Sequence, residues 1–502
     1  MSRIALISFL TNSINTRLLS SYLKSKGHEA FCYFCEGEFN EHNLNALVTD
    51  LREMEVSFVG VSLVTDDFRS AVIVTREIKA VLALPVIWGG AHANIKPEES
   101  LRHADMICMG EGEEALLELA DALNGGGVST SIKNIWFRTA DGIIKNEMRH
   151  LEEDLDKYPF PDFDMDTQYV MNKRGFSRLS EEHFRGEYSI MTSRGCPYKC
   201  KYCYNNYRWE QYKGKGKYLR TRSIWNVIAE LKKAKTIFGN IKRINFWDDS
   251  FVARHTEDFE RFRELYAKDI ALPFFALIEP MVFNFDKIRI LKDCGLCRLQ
   301  VGIQSGSERV NREVYNRPVS NNKMLDTAEA IHQLGISVIY DLIFNNPYET
   351  REDLLETIRL LLRFPRPFFV QGYNLIFYPG TAITEKALRD GYISLKTDEL
   401  DDFSTIQGKK DSPIAKGGLS SVSDRFYSIN YDSHDKVYLN SIISLFGYKH
   451  VPNGLIKYFA SSETAIRTVL LRVLIVSYIK VSEIKRDLFG LFRGRRQPVR
   501  HE

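Results

Sequence analysis

Three cysteines lie within eight residues near the centre of this 502-residue chain. Cys196, Cys200 and Cys203 have the spacing Cys-x3-Cys-x2-Cys, and the aromatic Tyr202 directly precedes the last of them. Thiolates are soft ligands that bind zinc, copper(I) or iron–sulfur centres. Four cysteines would complete a zinc or iron–sulfur site, whereas three leave one coordination position open. The segment therefore predicts a metal centre, either an iron–sulfur cluster with an open iron or a zinc knuckle that lacks its fourth ligand.

The composition is that of a globular protein, with 44% hydrophobic and 26% charged residues. A net charge of +3 does not indicate a nucleic-acid partner. The length favours about three domains. The N-terminal run Ile4–Ser8 does not resemble a signal peptide. Eight cysteines without an export signal indicate metal or packing roles in a reducing compartment, so we expect a cytoplasmic protein.

Strand and helix signals alternate through residues 1–125. Apolar runs at 4–8, 30–34, 56–62, 85–88 and 105–109 are separated by helical patterns. Apolar strands between helices predict a parallel sheet covered on both faces, which is a doubly wound α/β domain. Ligands of such domains bind at the carboxyl ends of the strands. The loops expected there contain Ser62 and Thr65, then Gly89, Gly90 and Ala91, then Gly110, Glu111 and Gly112.

Residues 126–187 predict a β-hairpin around Asp141-Gly142 and then an extended linker with a Pro-x-Pro segment. From 188 to 397, six apolar runs alternate with helical patterns. These runs are 189–192, 243–247, 274–278, 298–303, 338–344 and 368–376. Repeated strand–helix units predict a barrel or part of one, with chemistry at the strand carboxyl ends. The segments that follow the first, second and fourth runs hold the cysteines, Asp248 with Asp249, and Gln304 with Ser305 and Glu308.

The cysteine spacing, the aromatic residue before the last cysteine and their place after a strand resemble the signature of the radical SAM enzymes. The resemblance implies a (β/α)6 partial barrel in which Cys196, Cys200 and Cys203 hold a [4Fe–4S] cluster whose fourth iron binds S-adenosylmethionine. It also implies contacts to that cofactor from a set of residues around the barrel mouth: Tyr202, Asp248, Asp249, Gln304, Ser305 and Glu308. Gln304 replaces the usual glutamate, which keeps hydrogen bonding but removes the charge. Asp249 or Ser250 would also serve as a helix N-cap.

The Trp88–His92 turn, the helix pattern at Pro97–Leu101 and the segment Met109–Glu113 resemble the cobalamin-binding domain of B12-dependent radical SAM enzymes. The resemblance implies cobalamin contacts from the three strand-end loops: Ser62, Thr65, Gly89, Gly90, Ala91, Gly110, Glu111 and Gly112. No Asp-x-His-x-x-Gly motif is present, so no protein histidine is expected below cobalt. His92 is expected to be a hydrogen-bonding loop residue. The remaining five cysteines are expected to pack: Cys32, Cys35, Cys108, Cys294 and Cys297.

Residues 398–502 are expected to be mostly helical, with a loop at 408–424 and helical patterns at 427–448 and 451–458. The apolar run at 468–479 is shorter than the ~20 residues that a membrane span needs. A basic tail follows it. Either a helix packed on the barrel or a weak peripheral contact with an anionic membrane would explain this pattern.

The resemblance implies an enzyme with three cofactors: a [4Fe–4S] cluster, S-adenosylmethionine and cobalamin. It would cleave S-adenosylmethionine reductively, form a 5′-deoxyadenosyl radical and methylate an unactivated carbon of a small molecule. A flavodoxin- or ferredoxin-type protein would donate the electron. The enzymatic alternatives are an oxidative cyclase, another cobalamin-dependent rearrangement, or methylthiolation of RNA or protein. A non-catalytic cobalamin- or metal-binding protein is the alternative from another class, although such a protein would not need the acidic pair or the motif at 302–308.

Overall fold

The computed structural model describes residues 1–127, 129–395, 427–429, 439–440, 442–443, 445–447 and 451–461. The chain divides into two compact units. Unit 1 comprises Met1–Ile278, Val282–Leu299 and Ile376–Ile429. Unit 2 comprises Glu279–Met281, Gln300–Leu375 and Asn430–Glu502. The expected loop at 408–424, the apolar run at 468–479 and the basic tail lie outside the described residues.

A nine-stranded sheet in unit 1 has the order β7-β6-β5-β4-β3-β1-β2-β8-β9. The strands are β1, Arg3–Ser8; β2, Glu29–Phe34; β3, Phe58–Ser62; β4, Val86–Gly89; β5, Met106–Cys108; β6, Ile135–Thr139; β7, Gly142–Lys145; β8, Gln168–Asn172; and β9, Gly175–Arg178. In this order, neighbouring strands from β5 through β8 are parallel. At one edge β6 and β7 are added by antiparallel pairing, and at the other edge β9 pairs antiparallel with β8. The predicted parallel sheet is confirmed.

Helices cover both faces of this sheet. They are α1, Ile14–Ser25; α2, Glu41–Glu53; α3, Phe68–Leu82; α4, Ala91–Ile95; α5, Pro97–Leu101; and α6, Glu113–Asn124. Successive residues of β1 point to opposite faces: Ile4 packs in one hydrophobic cluster with Leu119 of α6, and Ala5 packs in the other with Ile78 of α3. The strands read as continuous apolar runs because each is buried on both faces. The doubly wound domain is confirmed.

The interval 126–187 contributes more to this sheet than a hairpin and linker. The β6–β7 hairpin extends one edge, as the Asp141-Gly142 turn indicates. At the other edge β8 pairs in parallel with β2, with Cys32 opposite Gln168, and β9 follows β8. The sequence of β8 lacks a continuous apolar run, so its pairing with β2 could not be predicted from the local pattern.

The strands of the second sheet follow the chain order β10-β13-β14-β15-β16-β17. Unit 1 supplies β10, Glu187–Ile190; β13, Arg243–Phe246; β14, Phe274–Ile278; and the beginning of β15, Leu296–Gln304. A short ladder of β11, Ser193–Arg194, and β12, Arg220–Thr221, lies after β10. The helices of this region are α7, Tyr204–Gln211; α8, Ile224–Ile237; α9, Thr256–Asp269; and α10, Phe285–Asp293.

Unit 2 contains the rest of β15, followed by β16, Ser337–Phe344, and β17, Phe369–Asn374. Its helices are α11, Asn321–Gln333, and α12, Arg351–Arg363, with a further helix at Asn453–Ser461. Strands β16 and β17 are parallel, with Asp341 opposite Gln371. All six predicted barrel strands are therefore present, and so are the five helices predicted between them.

The end of unit 1 corrects one expectation. Helix α13, Ala382–Arg389, is followed by β18, Ile393–Leu395, which pairs with β19, Tyr427–Ile429. The helix predicted from residue 427 is wrong at its start because backbone pairing with β18 makes this segment a strand. In the described part of the chain, no helix is both long enough and apolar enough to cross a bilayer.

Candidate functional site

The cysteine loop follows β10 and β11. Cys200 is buried, whereas Cys196 and Cys203 are partly exposed. The Cys203 N–H donates to the Cys200 carbonyl at 3.0 Å. Gly195 has φ +89°, and a Cβ there would lie 2.4 Å from the Tyr218 carbonyl oxygen. Only glycine therefore allows the chain to enter the loop at this point.

The thiols share one electrostatic environment. Burial raises the pKa of Cys196, and Asp249 and the other two thiols add to the increase. The Cys203 sulfur accepts the Asn205 N–H at 3.4 Å at the start of α7, a position that favours a thiolate. A cationic iron centre would offset the remaining cost of ionising three neighbouring thiols.

No three His, Cys, Asp or Glu side chains of the described residues converge as ligands of a single metal ion. A zinc site needs all its sulfur ligands about 2.3 Å from one ion. An iron–sulfur cluster instead distributes its thiolates over separate iron atoms. Three thiolates within one short loop suit such a cluster, in which each would bind a separate iron atom.

The two adjacent acids after β13 have different environments. Asp248 is fully buried, and its Oδ1 accepts hydrogen bonds from the Thr192 N–H at 2.8 Å, the Thr192 hydroxyl at 2.9 Å and the Ser193 hydroxyl at 2.5 Å. Burial raises the pKa of Asp248 against these bonds. Asp248 therefore fixes the segment that leads into the cysteine loop.

Asp249 instead faces the cysteine loop. Its negative charge raises the pKa of Cys196, and its carboxylate forms a hydrogen bond with Asn205. Asp249 is exposed to solvent, but the protein atoms around its carboxyl and the charge of Asp248 raise its pKa. The Tyr218 hydroxyl donates to the same Asn205 side chain at 2.8 Å. Ser250 precedes a short 3-10 turn but forms no side-chain capping bond, so the N-cap role expected for this pair is not observed at Ser250.

In unit 2 the residues after β15 are mostly engaged within the protein. The Ser305 hydroxyl donates to Glu349 at 2.7 Å and is buried. Glu308 accepts the backbone N–H of Asn321 at 2.7 Å, at the start of α11. Gln304 is partly exposed, as Glu308 is, but it differs from both residues in its left-handed backbone conformation, with φ +67°.

Two residues that the sequence pattern did not single out surround Gln304. Arg317 is fully buried, pairs with Glu279 and donates to the carbonyls of Gly302 and Ile303 at 2.7 and 3.1 Å. A Cβ on Gly302 would lie 2.7 Å from the Gln304 amide nitrogen and 2.9 Å from a Glu279 oxygen. Glu279 could have been found, since it directly follows a predicted strand.

The first-domain loops do lie at the carboxyl ends of β3, β4 and β5, as predicted. Ser62, Gly89 and Ala91 are partly exposed. Gly90 has φ +91°, and a Cβ there would lie 2.6 Å from the Leu63 carbonyl oxygen. Thr65 is buried, and its hydroxyl lies 3.3 Å from His92 Nδ1. Contacts within the domain thus explain why glycine stands at position 90 and why the Thr65 hydroxyl is buried.

His92 is fully buried and packs against Phe68, with 4.8 Å between ring centroids. Its Nε2 lies 3.7 Å from the Glu99 carboxylate. The expected hydrogen-bonding role is therefore observed, but in the interior instead of in an exposed loop. A metal ligand would need an accessible ring nitrogen, and this position provides none.

Other side chains of the protein contact the loop after β5 closely. A Cβ on Gly110 would lie 1.9 Å from the Tyr212 hydroxyl, which accepts the Glu111 N–H at 2.7 Å. Burial raises the pKa of the Glu111 carboxyl, but Arg194 and Arg220 outweigh burial and lower that pKa to about 2. Glu111 was expected to contact cofactor; its carboxylate instead binds two arginines. Gly112 is partly exposed.

Helix α7 joins the cysteine loop to the first-domain loops within unit 1. The Tyr207 hydroxyl donates to the Asn94 carbonyl at 2.9 Å. The Asn94 side chain donates to the Gly90 carbonyl at 2.8 Å and accepts the Gly110 N–H at 2.7 Å. The segment that begins at Cys203 is therefore hydrogen-bonded to two of the three loops predicted to bind a cofactor.

The other cysteines pack as expected. Cys32, Cys35 and Cys108 are buried in the first sheet, and burial raises the pKa of Cys32 and Cys108 to about 12. Cys294 is buried, and the Cys297 thiol donates to the Phe274 carbonyl at 3.2 Å. Tyr202 lies partly exposed within the cysteine loop.

Two family profiles match this sequence. The Radical SAM superfamily matches residues 190–361, and the B12 binding domain matches residues 4–120. An uncharacterized methyltransferase of Pyrococcus horikoshii is 25% identical over 352 residues, which cover 68% of this chain and 72% of the relative.

Two solved structures share the fold. TsrM of Kitasatospora setae, a radical S-adenosylmethionine methyltransferase with tryptophan substrate and a cofactor analogue bound, has a TM-score of 0.65 at 16% identity. The alignment covers 80% of this chain and 79% of TsrM. OxsB, a cobalamin-dependent S-adenosylmethionine radical enzyme with aqua-cobalamin and S-adenosylmethionine bound, has a TM-score of 0.68 at 15% identity, covering 96% and 72%.

Proposed function

We propose that this chain, which belongs to the radical SAM enzymes that carry a B12-binding domain, methylates a carbon atom of a small molecule. Its cofactors would be a [4Fe–4S] cluster, S-adenosylmethionine and cobalamin. The observation that carries the proposal is α7, which links the cysteine loop through Tyr207 and Tyr212 to the loops after β4 and β5. Such a link suits chemistry that needs both cofactor sites at once.

Cys196, Cys200 and Cys203 would hold the cluster. When bound, the cluster supplies the electron that cleaves S-adenosylmethionine, and cobalamin supplies the methyl carrier. The protein's own contribution is positional. Asp248 holds Thr192 and Ser193, and Gly195 admits the tight entry into the loop. These contacts set the direction of Cys196 before any cofactor binds.

Asp249 is the proposed S-adenosylmethionine contact of unit 1. Its carboxylate interacts with Cys196, and a carboxylate is the right partner for the cofactor's amino group. Tyr202 remains a proposed contact of the same loop. Asp248 is proposed to position the loop through its Oδ1, which accepts hydrogen bonds from three donors.

Gln304 is the proposed cofactor contact of unit 2. Arg317 and Glu279 hold its turn, and its amide can accept or donate to a ribose hydroxyl. Ser305 and Glu308 are proposed to act indirectly. Ser305 anchors to Glu349, and Glu308 accepts a backbone N–H of α11.

Cobalamin is proposed to bind at the loops after β3, β4 and β5, through the partly exposed Ser62, Gly89, Ala91 and Gly112. Gly90, Thr65 and Gly110 shape these loops by their internal contacts. Because His92 is buried, we propose that no histidine of this domain ligates cobalt. Residues 1–125 would hold cobalamin, residues 188–397 the other cofactors, and residues 126–187 would join them.

The proposed partners are a small-molecule methyl acceptor and a flavodoxin- or ferredoxin-type electron donor in the cytoplasm. TsrM, with its tryptophan substrate, supports the small-molecule class. The name of the uncharacterized methyltransferase of Pyrococcus horikoshii supports methylation. Any weak membrane contact would involve the tail beyond the described residues.

The test is an anaerobic reconstitution of the full chain with iron, sulfide and hydroxocobalamin, followed by removal of the excess. We expect bound cobalt and, on addition of S-adenosylmethionine and reductant, release of 5′-deoxyadenosine. Candidate acceptors incubated with deuterated-methyl S-adenosylmethionine should gain a labelled methyl group. Deoxyadenosine without bound cobalt would overturn the methyltransferase proposal, and a product that loses hydrogen without gaining a label would indicate the oxidative cyclase instead.

A further inference from the structure

Arg194 lies two residues before Cys196, in the short strand β11. Its guanidinium lies between two carboxylates of the turn after β5, 3.0 Å from a Glu111 oxygen and 2.5 Å from a Glu113 oxygen. It also lies over the Tyr158 ring, 5.1 Å from the centroid. The residue that leads into the cysteine loop is therefore held by the loop proposed to bind cobalamin.

The carboxylates that hold Arg194 are themselves fixed. Glu111 binds Arg220 through both oxygens, at 2.5 and 3.2 Å, and Arg220 lies opposite Arg194 in the β11–β12 ladder. The backbone of Glu111 is held by Tyr212 and by the Asn134 side chain at 2.8 Å. Neither end of the contact is free to adjust without breaking other bonds.

Burial distinguishes this contact from a surface ion pair. The side chains of Arg194 and Glu111 are 20% and 15% exposed, and those of Glu113 and Arg220 are 7% and 2% exposed. Removing charges from water carries a penalty that offsets their attraction, so a buried network of this kind is weak evidence for a stabilising role. What such a network does provide is one defined geometry, because planar guanidinium groups bind carboxylates in fixed directions.

We propose that Arg194 is a positioning residue that acts through Cys196. Glu111 and Glu113 hold its guanidinium, and this contact orients the cysteine loop relative to the turn after β5. The pairing thereby sets how the cluster is presented to S-adenosylmethionine and to the neighbouring cobalamin loop. This inference rests on the proposed function and assigns Glu111 a role different from the cofactor contact expected from the sequence.

The experiment compares full-length wild type with Arg194→Gln and Arg194→Lys after anaerobic reconstitution. Arg243→Gln is the matched control, because Arg243 pairs with Glu187 at the start of β13, away from the strand ends that carry the cysteine loop. Three quantities are measured: iron and sulfide per chain, the electron paramagnetic resonance spectrum of the reduced cluster with and without S-adenosylmethionine, and the rate of 5′-deoxyadenosine release without added substrate.

For Arg194→Gln we expect a reduced cofactor-induced change in the spectrum and deoxyadenosine release slower by about 10-fold, as for the loss of outer-shell support at metal sites. For Arg194→Lys, the spectral change and the release rate should lie between those of Arg194→Gln and the wild type. Lysine keeps the positive charge but cannot bind Glu111 and Glu113 with two separate nitrogens as arginine does. Arg243→Gln should match the wild type. Lower iron content at wild-type thermal stability would also support the proposal, because it would mean that Cys196 is displaced.

A wild-type spectrum and rate in Arg194→Gln would overturn the inference. If that variant fails to fold, Glu113→Gln is tested in its place. This substitution removes one carboxylate that binds Arg194 and leaves Glu111 to neutralise the arginine. An unchanged spectrum and rate in Glu113→Gln would then overturn it. Failure of the proposed function has a different result: the wild type itself would form no cluster or release no deoxyadenosine.

Discussion

The Asp248 carboxylate accepts the backbone N–H of Thr192 at 2.8 Å, which ties the end of the second barrel strand to the segment that enters the cysteine loop. The neighbouring Asp249 forms a hydrogen bond with Asn205, and its charge raises the pKa of Cys196. The two adjacent acids thus differ: Asp248 holds the backbone, and Asp249 is the one that we propose to contact S-adenosylmethionine.

We therefore expect Asp248→Ala to destabilise the protein by about 3 kcal/mol, because buried donors lose their acceptor. Asp249→Ala should change stability by less than about 1 kcal/mol but weaken binding of S-adenosylmethionine. Chemical denaturation of the cofactor-free protein and equilibrium dialysis of the reconstituted protein measure the two effects. Equal destabilisation by both variants would contradict the division of tasks.

A methyl group at Gly110 should break the contact between α7 and the turn after β5. A Cβ there would lie 1.9 Å from the Tyr212 hydroxyl, and φ is +79°. Gly126→Ala is the matched control, since φ is +88° and nothing lies within 4 Å of its Cβ. We expect Gly110→Ala to cost about 1–3 kcal/mol more than Gly126→Ala and to weaken cobalamin binding, measured by thermal denaturation and by the visible spectrum. Equal effects of the two substitutions would show that Tyr212 can move aside.

Asp341 gives a prediction about pH. Burial raises the pKa of its carboxyl from 3.8 to about 6, against a hydrogen bond from Gln300 at 2.7 Å. Between these values the folded protein binds the proton more tightly than the unfolded chain does. The contribution of Asp341 to stability is therefore present below pH 3.8 and is lost as the pH rises through about 6.

Asp341→Asn should remove this loss. We expect the variant to be more stable than the wild type at pH 8, by up to about 3 kcal/mol, and to approach it near pH 4. Denaturant midpoints across this range provide the measurement, and Asp286→Asn, at an exposed carboxylate, is the control. A stability difference between Asp341→Asn and the wild type that does not vary with pH would rule out a raised pKa of Asp341 in the folded protein.

Cysteine substitutions should separate ligands from packing residues. Changing Cys196, Cys200 or Cys203 to Ser should abolish the cluster, because serine is a much poorer ligand for iron than thiolate sulfur. Cys297→Ser is the control at another partly exposed thiol, one that donates to the Phe274 carbonyl, and it should retain the iron. Iron and sulfide analysis after reconstitution provides the measurement. Loss of iron in Cys297→Ser would point to an auxiliary site that the present assignment omits.

Local patterns determined much of the fold. Strand β14 at Phe274–Ile278 has its predicted bounds, because a short apolar run between two helical patterns marks a buried strand. The spacing of Cys196, Cys200 and Cys203 likewise predicted the metal centre, since its expected ligands lie within one short loop. These features depend on neighbours in sequence, and so the sequence by itself determined them.

Only the tertiary structure decided what the charged residues of the turn after β5 contact. Glu113 pairs with Arg194 across 81 residues of sequence, and Glu111 pairs with Arg220 across 109. No periodic pattern specifies such pairs, because they depend on how α7 and the β11–β12 ladder pack against the turn after β5. Glu111 was therefore expected to bind a cofactor, and its partners became evident only when the folded chain brought the arginines to it.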